Sequence, residues 1–492
     1  MEQGGVRRQK REVLLGLTQS PATAMFLRQI TDPSLAQNAY LIGCQRTGEA
    51  ILIDPERDLD RYFQVAADND LRITAVAETH IHADYLSGAR ELVERHGAMA
   101  WLSEEGGPDW QFEWAKGNPN ARFLKHGDVF RVGNIELKAL LTPGHTPEHM
   151  SYLVTDIGGG ADEPVAFLTG DFIFVGDVGR PDLLESAAGQ AGVMEPGART
   201  LYASLRATAD LPEHLQILPA HGAGSACGKD LGAVPNSVMG YERKFNAAFR
   251  EALTAPEDQF VKHILAGQPE PPLYFARMKR DNKLGPALLP DGKLPVPKRI
   301  AADQLGDWIG KAAILDLRAD RAAFAASHLQ GALFAPLPGG KLPIAAGSYV
   351  DENERILLVV ESASHVDEAV RQLIRIGLDK VEGWIPAAEA LADSGFATSY
   401  PLIAPADLPL DAAVLDVRRA DEFATSHVKG ATNIAYTRLA ARFDEVPSAG
   451  PLHVHCAGGM RAAIAAAYLA SRGREVVHVD GPYAEIPGMM KQ

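Results

Sequence analysis

Cysteine is scarce in this chain: Cys44, Cys227 and Cys456 are too few and too scattered over 492 residues to form a disulfide framework. A reducing cytoplasm fits that count. Positive charge is also in the minority, with 48 Lys and Arg against 63 Asp and Glu and a net charge of −15. That balance argues against a nucleic-acid partner or an anionic membrane surface. No uninterrupted apolar run approaches the length of a membrane span. The start has a basic head, Arg7-Arg8-Gln9-Lys10-Arg11 before Val13-Leu14-Leu15. Its apolar core is only about five residues where a secretion signal needs seven or more. Residues 1–24 are therefore expected to be a poorly ordered tail. At about 150 residues per domain, the length predicts roughly three domains.

Histidine and carboxylate, by contrast, are concentrated. Thr79-His80-Ile81-His82-Ala83-Asp84-Tyr85 packs two imidazoles and a carboxylate into five residues. Downstream, Thr142-Pro143-Gly144-His145-Thr146 supplies a turn-borne histidine. Leu168-Thr169-Gly170-Asp171 ends an apolar run on an aspartate, and Leu218-Pro219-Ala220-His221-Gly222 ends another on a histidine. Each candidate ligand sits where a hydrophobic strand gives way to a Gly or Pro turn, which aims several strand ends at one point. The pattern predicts a metal site.

The ordered set T-H-x-H-x-D, P-G-H-T, T-G-D and A-H-G resembles the metallo-β-lactamase fold. The resemblance implies an αββα sandwich, and residues 38–44 and 50–55 match its opening hairpin, with Cys44 in the core. Binuclear hydrolases of this fold usually carry a histidine directly after the motif's aspartate, where this chain has Tyr85. A phenol is a poor zinc ligand, so the second metal site is expected to be incomplete. His80, His145 and Asp171 then remain as two neutral imidazoles and one carboxylate. That facial set suits one non-haem Fe(II) per chain and oxygen chemistry, although mononuclear zinc enzymes also exist. His82, Asp84 and His221 would orient ligands and bound water. No organic cofactor is expected.

The run from Thr169-Gly170-Asp171 to Gly179-Arg180-Pro181-Asp182 resembles the persulfide dioxygenase branch of that superfamily. The likeness implies that Arg180 lies near the pocket and holds an anionic substrate; the alternative is a surface pair with Asp182. Cys227 either lines the pocket or fills the core. This domain is expected over residues 25–265, closing with helices at 241–252 and 256–265. The Pro- and Gly-rich residues 266–298 read as a terminal wrap and linker.

Beyond the linker the chain repeats itself. Ile314-Leu315-Asp316-Leu317-Arg318 with Ser327-His328 matches Val414-Leu415-Asp416-Val417-Arg418 with Ser426-His427. Each copy continues into a buried strand and an Ala/Leu-rich helix, the βα alternation of a parallel sheet. The D-x-R and H-x-x-G-A signatures resemble rhodanese domains, at residues 299–398 and 399–492. In the second copy a strand ends on Cys456, and Cys456-Ala457-Gly458-Gly459-Met460-Arg461 forms a loop that feeds a helix. Backbone N–H groups facing the sulfur and the helix N-terminus stabilise thiolate and persulfide, which marks Cys456 as a nucleophile. The first copy has Glu361-Ser362-Ala363-Ser364-His365 there and no cysteine, so it is expected to be inactive.

This domain order resembles the multidomain persulfide dioxygenase/sulfurtransferases of sulfide detoxification. It implies Fe(II)-dependent oxidation of low-molecular-weight persulfides such as glutathione persulfide by dioxygen to sulfite, and Cys456-borne sulfur transfer that makes or consumes thiosulfate. A zinc-dependent, glyoxalase II-like thioester hydrolase fused to a sulfur carrier is the alternative. Homo-oligomerisation is left open.

Overall fold

A computed structural model describes residues 25–186, 192–225, 227–229, 231–268, 270–392, 395–448 and 450–492. The expected tail at 1–24 lies outside the described residues. Two six-stranded sheets come first. One runs in chain order from Met25–Asp32 through Gln37–Cys44, Glu49–Ile53, Arg72–Ala77 and Met99–Ser103 to Ala121–Leu124. The other runs from Ser237–Val238 through Gln216–Pro219, Ala166–Gly170, Met150–Thr155 and Ile135–Leu141 to Val129–Val132.

The strand Gln37–Cys44 is buried along its whole length, and its two faces serve different cores. Tyr40 and Ile42 pack with Leu137, Tyr152 and Leu168 between the sheets. Ala39 and Leu41 pack outward with Tyr62 and Leu92 of the covering helices. That alternation follows from the two-residue period of a strand, and burial on both faces accounts for the continuous apolar run in the sequence. Helices also cover the other sheet, where Leu201, Phe249 and Phe260 meet Phe167 and Ile217. The result is an αββα sandwich.

Two segments differ from expectation. Residues 241–252 are not one helix, because the chain breaks at Asn246 between Met239–Phe245 and Ala247–Thr254. Asn246 is extended; its side chain caps the second helix through the Phe249 N–H and donates to the Asp177 carbonyl at 2.7 Å. Residues 266–298 are more than a wrap and linker: they carry the helix Phe275–Leu284, whose Phe275, Met278 and Asn282 are buried. Glycine and proline on both sides hide this ten-residue helix.

Two five-stranded parallel sheets follow with the same strand order. The first is Lys298–Arg299, Val381–Pro386, Ile356–Val360, Ala313–Asp316, Ala332–Phe334. The second is Leu402–Ile403, Val476–Val479, Leu452–His455, Ala413–Asp416, Thr432–Asn433. The shared signatures are latches common to both. Arg318 grips Asp316 and donates to the Ser327 carbonyl at 2.8 Å, while Arg418 grips Asp416 and donates to the Ser426 carbonyl at 2.7 Å. Since the copy without a cysteine keeps this arrangement, the D-x-R motif reports fold and not chemistry.

The first copy is docked on the sandwich through buried charge. Arg375, on the helix His365–Arg375, meets Asp32 at 2.9 Å, Glu56 at 3.1 Å and Asp58 at 2.6 Å. Arg57 returns the contact to Asp379 at 2.7 Å. Among the described residues no helix is long and apolar enough to cross a membrane.

Candidate metal centre and sulfur-carrying loop

His80, His145 and Asp171 converge, each offering one ligand atom within 4.8 Å of the others, and all three are buried. The Asp171 Oδ2 lies 3.5 Å from His145 Nε2 and 3.9 Å from His80 Nε2. Their outer atoms are already engaged. His145 Nδ1 donates to the Arg180 carbonyl at 2.9 Å. His80 Nδ1 meets Thr79 Oγ1 at 2.9 Å, and that hydroxyl donates onward to Asp54 at 2.8 Å. Both Nε2 lone pairs therefore face inward toward Asp171 Oδ2, a buried oxygen with no hydrogen-bond partner. Inward lone pairs around an orphaned carboxylate oxygen are the donor set of a cation, and the residues fit a metal. Burial, followed by its histidine neighbours, pushes His80 well below its usual value, so it stays a neutral ligand.

Asp171 is aimed by what surrounds it. Its N–H donates to His149 Nε2 at 3.0 Å. Its Oδ1 accepts from His221 Nδ1 at 2.7 Å, while His221 Nε2 donates to Asp84 at 2.8 Å. Burial disfavours charge on His221, but Asp171 and Asp84 outweigh it and lift the imidazole to about 10. With both nitrogens spent on carboxylates, His221 orients Asp171. Gly170 makes the approach: its φ is +53°, and a Cβ there would lie 2.6 Å from His149 and 2.7 Å from Thr79.

The remaining expected residues divide. Asp84 and Cys227 join His221 in a second buried group. Cys227 also packs in the apolar cluster with Phe174 and Tyr274, so it both borders the site and fills core. Burial raises its thiol, and Asp84 and Asp171 raise it further. His82 faces elsewhere, with Nε2 3.0 Å from Glu78 and 3.1 Å from Asp54. Burial opposes charge on His82, yet those carboxylates keep its proton on. Tyr85 is fully buried, and its hydroxyl donates to the Asp54 carbonyl at 3.1 Å, a structural role. Arg180 is 1% exposed and bonded to Asp182 at 2.6 and 2.8 Å. The pair is buried, which corrects the surface alternative, and the Arg180 carbonyl steadies His145.

Sequence reasoning missed His149, Glu148, Asp54 and Glu78. His149 follows His145 by four residues in the same turn; burial, then His145, pushes it down to about 3, so it accepts from Asp171 as a neutral ring. Glu148 accepts from the Ile81 N–H at 2.8 Å and fixes the first histidine motif. Asp54 and Glu78 each end an apolar strand, the signal that was used elsewhere. A cavity of about 340 Å³ reaches His221 from the side of Asn38, Val175 and Leu231.

In the second parallel domain Cys456 follows the strand Leu452–His455 and is 3% exposed. Its Sγ accepts from the Gly459 N–H at 3.1 Å and the Ala462 N–H at 3.4 Å, at the start of the helix Met460–Ser471. Ala457 and Gly458 are exposed beside it. Met460 and Arg461 are half-buried, and both ends of the Arg461 guanidinium bond Glu422, at 2.6 and 2.8 Å. Two N–H donors and a helix N-terminus stabilise anionic sulfur. The first copy has an exposed acidic loop at the equivalent place.

Comparison with known proteins agrees with this division. The metallo-beta-lactamase superfamily matches residues 33–221, and the rhodanese-like domain matches residues 404–486. A Staphylococcus aureus structure described as a metallo-beta-lactamase is 39% identical; the alignment covers 74% of this chain and 99% of that one, with a TM-score of 0.65. A Burkholderia pseudomallei protein named a probable metallo-hydrolase is 30% identical over 47% of this chain and 82% of its own length. Human mitochondrial persulfide dioxygenase ETHE1 is 29% identical over 48% of this chain and 80% of its own length.

Proposed function

The chain belongs to the metallo-β-lactamase superfamily and carries a rhodanese-like domain downstream, and from that premise we propose that it oxidises low-molecular-weight persulfides and transfers sulfane sulfur through Cys456. The carrying observation is the pairing of a buried two-histidine, one-carboxylate set with a glycine-loop thiol in one chain. Likeness to a persulfide dioxygenase supports the substrate class. His80, His145 and Asp171 would hold one Fe(II). Such an ion would supply the redox-active Lewis acid that lets dioxygen react with a sulfur anion.

The chain's own residues set the geometry. Asp171 is held from three sides by His149, His221 and its strand, so Oδ2 keeps its direction when ligands exchange. The neutral rings of His80 and His145 leave the site less negative than three carboxylates would, which favours an anionic persulfide. Overall, a persulfide, dioxygen and water give a thiol, sulfite and two protons; the terminal sulfur loses the four electrons that dioxygen gains. At the second site the Cys456 thiolate takes the terminal sulfur of another persulfide, releasing thiol. Sulfite then removes it as thiosulfate and restores the thiolate. Small persulfides, dioxygen, sulfite and thiosulfate are the partners in this reading, with no nucleic acid or membrane and a cytoplasmic setting.

The test is metal analysis of purified protein together with oxygen uptake on glutathione persulfide. Iron with oxygen consumption and sulfite formation supports the reading. Zinc with thioester cleavage and no oxygen uptake overturns it in favour of a hydrolase.

A further inference from the structure

The Cys456 loop is short of usable positive charge. Both terminal nitrogens of the Arg461 guanidinium are bonded to Glu422. Arg418 is gripped by Asp416 and lies over the Tyr483 ring at 4.0 Å. The second copy thus stabilises anionic sulfur with backbone N–H groups, while the guanidinium groups of Arg461 and Arg418 are each paired with a carboxylate of the same copy.

The other copy reaches in. Arg321, first residue of the helix Arg321–Ala326, donates from Nε to Asp480 Oδ1 at 2.6 Å, an ion pair between the two parallel domains. Its Nη2 lies 3.0 Å from where a Cβ on Gly459 would stand, and Asp480 Oδ1 lies 2.1 Å from that point. Gly459, at φ +92°, is the residue whose N–H donates to Cys456 Sγ. Gly459 therefore meets the sulfur through its N–H and lies against the guanidinium where a Cβ would stand, in a backbone conformation that favours glycine. Arginine has five N–H donors in a planar fork. Asp480 takes one, and among the described residues no second acceptor is bonded to it. The equivalent first helical position of the second copy is Ala420, so the arginine is not part of what the repeats share.

We propose that the inactive rhodanese-like copy supplies Arg321 to the Cys456 site, where it binds the sulfonate end of thiosulfate or sulfite. This rests on the reading of Cys456 as a sulfur carrier. In the step served, the Cys456 thiolate attacks the outer sulfur of thiosulfate. A new S–S bond forms, the old S–S bond breaks, and its electron pair leaves with sulfite as a dianion. Charge is conserved and no oxidant is needed, and a guanidinium beside the leaving sulfite would stabilise the negative charge that collects there. The inactive domain is thereby a substrate-binding half of the active one.

The test uses the full chain with two sulfur donors: thiosulfate, and the hydropersulfide of an uncharged alkyl thiol, which carries no sulfonate and passes its outer sulfur to the Cys456 thiolate with the alkyl thiol as leaving group. Persulfide on Cys456 is read by intact mass, and turnover is measured with dithiothreitol as acceptor. Arg321→Gln is expected to raise KM for thiosulfate about tenfold and leave loading from the alkyl hydropersulfide unchanged. Arg321→Lys should recover part of the loss. Asp480→Asn, which frees the guanidinium of its counter-charge, should leave KM for thiosulfate equal or lower, and it keeps the proposal testable if Arg321→Gln does not fold. An unchanged KM in Arg321→Gln, an equal fall with both donors, or a raised KM in Asp480→Asn would each overturn the proposal. Failure of the wild-type Cys456 to load from either donor would overturn the sulfur-carrier reading, and this proposal with it.

Discussion

Asn282 donates its side-chain amide to the carbonyl of Tyr85 at 2.7 Å, across 197 residues of sequence. The same amide nitrogen reaches the His82 carbonyl at 2.8 Å, and its oxygen accepts from the Ser87 N–H at 2.8 Å. One buried side chain therefore pins the loop that leaves the first metal motif. A second tie comes from the first parallel-sheet domain, where the Arg375 carbonyl accepts from the Leu86 N–H at 2.7 Å. The metal loop is shaped by elements outside the sandwich.

Asn282→Ala should accordingly strand the His82 and Tyr85 carbonyls and the Ser87 N–H, costing roughly 1–3 kcal/mol. Metal should leave faster because Asp84, the partner of His221, lies in the released loop. Urea midpoints and the rate of metal capture by a chelator measure the two effects. An unchanged chelation rate would show that the strand ends alone hold the site.

The ligand motifs, the repeat and the sulfur loop were legible because each is a local pattern: a turn after an apolar run, a fixed offset, a cysteine before glycines. What escaped is non-local. The helix Phe275–Leu284 lies between Pro- and Gly-rich stretches, and Asn282 acquires its role only from a fold that brings it to residue 85. Arg180 carried two readings that differ in burial, which no short motif encodes. Asp54 and Glu78 did end apolar strands, but no family motif drew attention to them.

Replacing His80, His145 or Asp171 by alanine should abolish metal retention and oxygen uptake while sulfur transfer by Cys456 continues. The lesion stays local because the two sites belong to separate sheets. Full metal content in Asp171→Ala, read by elemental analysis, would reject the ligand set.

Glu56 makes the docking of the first parallel-sheet domain sensitive to pH. Burial raises its carboxyl to about 8, with Arg375 pulling the other way. A folded-state value above the usual 4.5 means that its contribution is complete below about pH 4.5 and is lost as pH rises through about 8. Glu56→Gln cannot ionise, so it should remove part of that decline, by roughly 1–3 kcal/mol between pH 5 and 8. Urea midpoints of both proteins at the two pH values check this. An identical decline in the variant would mean that Glu56 is ionised throughout the range.

Cys456 is the thiol on which coupling of the two activities should depend. Cys227 is an unpromising substitute, since burial and the neighbouring Asp84 and Asp171 oppose its thiolate, whereas Cys456 Sγ accepts two backbone N–H groups. Cys456→Ser keeps the loop's shape and those donors but replaces a thiol with a hydroxyl that forms no persulfide. Oxygen uptake on glutathione persulfide should persist, because the metal ligands are untouched. The product should shift from thiosulfate to free sulfite, since sulfite no longer meets a protein-bound sulfane sulfur. Chromatographic speciation of the products under identical turnover decides the matter: undiminished enzymatic thiosulfate from Cys456→Ser would place the second sulfur transfer at Cys227 or at the metal itself.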